Sequence, residues 1–166
     1  MDNKIDSKTY RILQDQLRSI LENLLPFEQE VIRMRFGLDD GYSYTIDDIC
    51  RNLTTTRDIV QNIESKVVKI FETYPNDSKT KIQKKHIPED IKKKVIAKVR
   101  LMRMREKVPY ILDSLKPCEQ KVVKMYYAVD GGDFPPMESV CHLCGITEEE
   151  FLHIKVKVLR RVSHLP

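Results

Sequence analysis

Arg57, Asp58, Gln61 and Asn62 stand at i, i+1, i+4 and i+5, a spacing that gathers them on one side of an α-helix. Their chemistry is that of base-edge readers. An arginine fork pairs with guanine, and glutamine or asparagine carboxamides pair with adenine in the major groove. Thr56 stands just before them and Lys66 two to three turns after. Arg33 and Arg35 lie upstream as further candidates for phosphate contact.

The stretch 45–71 must position this edge, and it reads as two helices joined by a tight turn. Ile46, Ile49 and Leu53 recur at helical spacing and give a short first helix one apolar face. Thr56 has the chemistry of an N-cap, and Val60, Ile63, Val67 and Ile70 mark the buried stripe of a longer second helix. Cys50 supplies a small side chain where two such helices pack closest. The pattern is that of a helix-turn-helix, whose second helix can enter the DNA major groove.

Upstream, Ser7 is expected to cap a first helix carrying Tyr10, Leu13, Leu17, Ile20, Leu21 and Leu24 inward. Pro26 opens the next helix, which runs through Val31, Ile32 and Phe36 and stops at Gly37. Residues 73–78 end this unit, and a lysine-rich connector follows. Pro88, Glu89 and Asp90 read as the start of a helix with Val95, Val99, Met102 and Met104 inward.

Residues 24–41 and 45–71 together resemble region four of a housekeeping-type bacterial sigma factor. The first part matches at Leu24, Pro26, Glu28, Glu30, Val31, Arg33, Arg35, Phe36, Gly37, Leu38 and Gly41. The second matches at Thr45, Ile49, Thr56, Arg57, Ile63, Glu64 and Lys66. The resemblance implies an all-α domain that recognises the promoter −35 element and contacts the β-subunit flap of RNA polymerase. Thr54 stands where that family usually has glycine, and Thr55 where it has an apolar residue. Ile59 and Gln61 stand where it often has arginine, a loss that bears on DNA affinity more than on fold.

The last third repeats the first at an offset of 91 residues. Ile20, Leu21, Leu24, Pro26, Glu28, Gln29, Val31 and Met34 recur as Ile111, Leu112, Leu115, Pro117, Glu119, Gln120, Val122 and Met125. Asp39, Gly41, Cys50, Thr56, Ile63 and Lys66 recur as Asp130, Gly132, Cys141, Thr147, Ile154 and Lys157. The expected architecture is all-α, with two tandem helix-turn-helix units of the sigma-region-four kind. Unit boundaries fall at 1–75 and 98–166, joined by a basic linker and the start of a helix at 76–97. The second unit has Gly145 at its turn, but Glu148, Glu149, Leu152 and His153 replace the base readers. Acidic side chains oppose binding to a polyanion, so this edge is expected to contact protein instead. The basic connector of another chain is the partner the sequence itself supplies.

Charge supports that division. Residues 1–74 carry 10 Lys and Arg against 13 Asp and Glu, and residues 109–166 carry 7 against 8. Residues 75–108 carry 12 against 4, so the excess basicity lies in the middle. Lys84, Lys85, Lys92, Lys93 and Lys94 are candidates for phosphate contact, with a solvated helix face as the alternative. Four cysteines in a chain that is 33% charged fit a reducing, cytoplasmic setting, and no run is apolar enough to span a membrane. Cys141 and Cys144 have the spacing of half a zinc site, but they fall on the apolar stripe of a helix and no second pair accompanies them. No metal or other cofactor is expected. No phosphate loop or nucleophile motif appears, which points away from an enzyme. Two readings follow: a sigma-like regulator, or one part of a split sigma factor, that contacts double-stranded promoter DNA and RNA polymerase; or a protein-interaction module that keeps the fold and binds polymerase, a sigma factor or itself.

Overall fold

The computed structural model describes residues 11, 14, 15, 17, 18, 20–73 and 89–165. Ser7, Tyr10, Leu13, Lys84, Lys85, Pro88 and the chain from 74 to 78 lie outside the described residues. The protein is all-α, with no strand among the described residues. Among the described residues no helix is long and apolar enough to cross a membrane.

A helical segment ending at Leu21 buries Leu17, Ile20 and Leu21. Pro26 then starts α1 (Pro26–Phe36) at a position where its missing N–H is an orphan in any case. Glu28 reaches back to accept from the Leu25 N–H at 3.0 Å. Gly37 ends α1 at φ +65°, and a Cβ there would stand 2.9 Å from the Gly41 carbonyl carbon. Only glycine allows both that backbone and that close return of the chain.

Helix α2 (Ile46–Leu53) opens on a reciprocal cap. The Thr45 hydroxyl accepts from the Asp48 N–H at 3.1 Å, and the Asp48 carboxylate accepts from the Thr45 N–H at 3.3 Å. The Thr45 hydroxyl bond, more than the ion pair with Arg51, holds the Asp48 carboxyl below the usual carboxylate range. Helix α3 (Arg57–Thr73) follows a three-residue turn and buries Val60, Ile63, Val67 and Phe71. Thr54, in that turn, is held at φ +50°. A β-branched residue is strained there.

Helix α4 (Glu89–Lys107) sends Ile91, Val95, Val99 and Met102 into the same core as α1 to α3. Met104 turns instead toward a second core, together with Leu101. A 3-10 turn (Val108–Ser114), α5 (Pro117–Tyr126), α6 (Met137–Cys144) and α7 (Glu148–Ser163) enclose that second core around Val122, Val140, Phe151 and Val158. Helices α5, α6 and α7 each begin 91 residues after α1, α2 and α3. Specific bonds recur at the same offset. Lys66 Nζ meets Glu28 and Lys157 Nζ meets Glu119, both at 2.8 Å. Gln29 donates to the Leu24 carbonyl at 3.0 Å, and Gln120 to the Leu115 carbonyl at 3.1 Å.

The two cores are joined through Arg105, which is almost wholly buried. Its guanidinium donates to the Ser43 carbonyl (3.1 Å), the Tyr44 carbonyl (2.9 Å) and the Gly132 carbonyl (3.4 Å), and lies over the Phe134 ring. Burial and then the nearby Arg35 pull its pKa down, while Glu106 and Glu64 oppose the shift. The Gly132 N–H donates to the Ser43 carbonyl at 3.0 Å, and the Tyr42 hydroxyl donates to the Asp130 carbonyl at 3.1 Å. The loop after α1 is thereby fastened to the loop after α5. Lys98, also inside, donates to the Phe36 carbonyl at 3.1 Å, and burial pushes its pKa down to about 8.

Candidate nucleic-acid interface

Helix α3 presents its candidate readers unevenly. Thr56, Asp58, Gln61 and Asn62 are exposed along one edge, next to the turn that follows α2. Ile59 is exposed among them. Arg57 is half-exposed and already engaged by carboxylates, at 2.6 Å from Asp47 and 3.6 Å from Glu106. Lys66 is exposed and bridged to Glu28, and Arg33 is partly covered and bridged to Asp39 at 3.1 Å. Ion pairs whose basic partner is open to solvent contribute little to stability.

Two of the expected phosphate contacts are corrected by the structure. Arg35 is 0% exposed. Its guanidinium pairs with the buried Glu64, reaches Glu106 at 3.0 Å and donates to the Tyr44 carbonyl at 2.8 Å. Such a group ties α1 to α3 and cannot reach DNA without unfolding the unit. Lys92, at 6% exposure, is likewise inside, with its ammonium 3.9 Å from Glu89. Of the other connector lysines, Lys93 is exposed and Lys94 half-buried, while Lys84 and Lys85 lie outside the described residues.

Two residues that bear on this edge were not singled out by sequence. Glu106, on α4, accepts from the Ile46 N–H at 3.2 Å and also meets Arg35 and Arg57. One carboxylate therefore touches the start of α2, the buried arginine and the candidate reader. Arg103, exposed on α4, donates to the Ser65 hydroxyl of α3 at 3.2 Å, so it places a cation one turn beyond Gln61. Its place on an apolar-periodic helix, at i+4 from Val99, was the available signal.

The matching edge of α7 is different in kind. Glu148, Glu149, Leu152 and His153 are all exposed. Thr147 caps the helix by accepting from the Glu150 N–H at 3.2 Å. The Thr147 N–H bond to the Glu150 carboxylate holds that carboxyl below its usual range. A groove of about 770 Å³ runs along α7, lined by Glu149, Leu152, Val156 and Arg160 among others. Cys141 is buried in the second core with its Sγ 3.9 Å from the Thr147 carbonyl, and burial raises its thiol pKa. Cys50, Cys118, Cys141 and Cys144 are all free thiols. Among the described residues no group of three or more His, Cys, Asp or Glu side chains converges on a point where a metal could sit.

No family model matches the chain, and no solved structure matches it. Its sequence is similar to curated bacterial proteins. It is 38% identical over 74 residues to the RNA polymerase sigma factor SigA of Clostridium acetobutylicum, covering 45% of this chain and 19% of that protein. It is 36% identical over 74 residues to the SigA of Listeria monocytogenes, covering 45% of this chain and 20% of that protein. It is 35% identical over 69 residues to the SigA of Lactococcus lactis subsp. cremoris, covering 42% of this chain and 19% of that protein. Just under half of the chain is thus sigma-factor-like, and it spans about one fifth of the length of these relatives.

Proposed function

We propose that this protein is a sigma-like transcription regulator, not an enzyme, built from two copies of one helix-turn-helix unit of which only the first contacts promoter DNA. The observation that carries the reading is the exposed row Asp58, Gln61 and Asn62 beside Arg57, on a helix that follows a tight turn. Similarity to proteins named RNA polymerase sigma factors supports it and favours RNA polymerase as the protein partner, with the β-subunit flap as the contact that the region-four resemblance implies. On binding, Arg57 leaves Asp47 for a base edge, and Lys66 and Arg33 leave Glu28 and Asp39 for phosphates. Lys93 and Arg103 add sequence-independent attraction along the backbone.

The reading that this is purely a protein-interaction module has one observation in its favour. The first unit surrounds its only candidate guanine reader with Asp47, Asp58 and Glu106. A titration with a −35-type duplex and a scrambled duplex, at two salt concentrations, separates the two. The DNA-reading account expects tighter binding to the first duplex, with affinity falling steeply as salt rises. Equal or absent binding to both duplexes selects the interaction module.

A further inference from the structure

On α3, Ser65 and Val68, one and two turns beyond the exposed Gln61, are met by another helix of the chain. Arg103 of α4 donates to Ser65, and Val68 packs against the core to which α4 contributes Val95, Val99 and Met102. The residues 91 positions later on α7 are Leu152, Val156 and Leu159, at i, i+4 and i+7. They are 51%, 46% and 45% exposed. The face that α4 meets in the first unit is therefore both bare and more apolar in the second. Three large aliphatic side chains in one stripe are a protein-contact surface and not a solvated helix edge. The basic helix that charge alone would nominate as its cover is already committed, since Ile91, Val95, Val99 and Met102 lie inside the first core.

The charges along α7 identify what fits. Glu148, Glu149 and Glu150 fill its first turn, and Arg160 and Arg161 its last. Glu149 and Arg160 flank the apolar stripe on the same side, eleven residues apart and so about three helical turns. Arg161 is half-buried and bonded to Ser114, so Arg160 is the more exposed cation of the last turn. A helix of this pattern is complementary to itself run in reverse. We infer that α7 is the seam of a symmetric antiparallel homodimer. A twofold axis across the stripe packs Val156 against its copy, sets Leu152 of each chain against Leu159 of the other, and sets Glu149 of each chain against Arg160 of the other. This goes beyond the DNA-reading proposal and involves no nucleic acid, so either can fail without the other.

Sedimentation equilibrium of the full chain over a concentration series tests it. The expected result is a reversible monomer–dimer equilibrium that Val156→Glu abolishes. Val156 is exposed, so its circular dichroism spectrum should stay that of the parent. Glu149→Arg and Arg160→Glu should each weaken the dimer on their own, because each sets like charges together at both ends of the seam. Mixed in equal amounts, these two variants should recover it as a heterodimer. A chain that stays monomeric at every concentration overturns the inference, as does a dimer indifferent to Val156→Glu. A pair of charge variants that fails to recombine overturns the antiparallel arrangement.

Discussion

Helices α3 and α7 start at equivalent positions, each after a short helix and a left-handed turn, yet they have parted in what they bury and what they show. Inside, α3 holds Glu64 against Arg35. The equivalent positions on α7 and α5 are Lys155 and Tyr126, and there an ammonium lies 5.6 Å from the centre of an aromatic ring. Outside, α3 shows Arg57, Asp58, Gln61 and Asn62, where α7 shows Glu148, Glu149, Leu152 and His153. The shared features are those that set backbone position: proline at the first residue of α1 and α5, the Glu–Lys bridge, and the glutamine that ties to the preceding carbonyl. The units differ on the exposed edge, in the buried pair and at some helix ends, where Thr45 caps α2 but Pro136 precedes α6 without a side-chain cap.

The sharpest way to break the comparison is to remove the buried ion pair. Glu64→Ala leaves the Arg35 guanidinium inside with only Glu106 and a backbone carbonyl, and should destabilise the first unit by about 3 kcal/mol. Lys155→Ala removes a partly exposed cation–π contact and should cost the second unit roughly 0.5–1 kcal/mol. Hydrogen exchange read unit by unit during denaturant unfolding checks both. Losses of equal size would mean that the Arg35–Glu64 pair is not what holds α1 to α3.

Much of this was legible in the sequence because it rests on local chemistry. Pro26, Gly37 and Thr45 mark helix ends through their own backbones and side chains, and the apolar positions Val95, Val99 and Met102 announce the buried face of α4. The reversal at Arg35 was not legible. An arginine in a charged sequence reads as surface, and the partner that justifies its burial, Glu64, lies 29 residues away on another helix. Lys92 misled in the same way, one of three consecutive lysines of which position around the helix decides the exposure. Arg105 gains its role only when two loops 88 residues apart are brought together at Tyr42 and Asp130, and Glu106 only when the end of α4 packs against the start of α2 and against Arg35 and Arg57. The departures at the turn were readable, since Thr54 and Gly145 differ in a property of the residue itself.

That turn gives a smaller test. Thr54 is held at φ +50° and Gly145 at φ +66°. Left-handed backbone is unfavourable for a β-branched residue and free of that strain for glycine. Thr54→Gly should therefore stabilise the first unit by about 1 kcal/mol, and Gly145→Thr should destabilise the second by a similar amount. Thermal unfolding of the two variants would show opposite shifts. Destabilisation by both would mean that the Thr54 side chain makes a contact worth more than the strain.

The division of labour between the two units is tested most directly by truncating the same position in each. Arg57→Ala and Glu148→Ala change equivalent first residues of α3 and α7, and both side chains reach solvent. The measurement is the affinity of the full chain for a −35-type duplex at fixed salt. Arg57→Ala should weaken it by about 1–3 kcal/mol and relax preference at one base pair, while Glu148→Ala leaves it unchanged or slightly tighter. Loss of affinity on Glu148→Ala, with Arg57→Ala silent, would place the DNA-reading edge on the wrong helix and contradict the account.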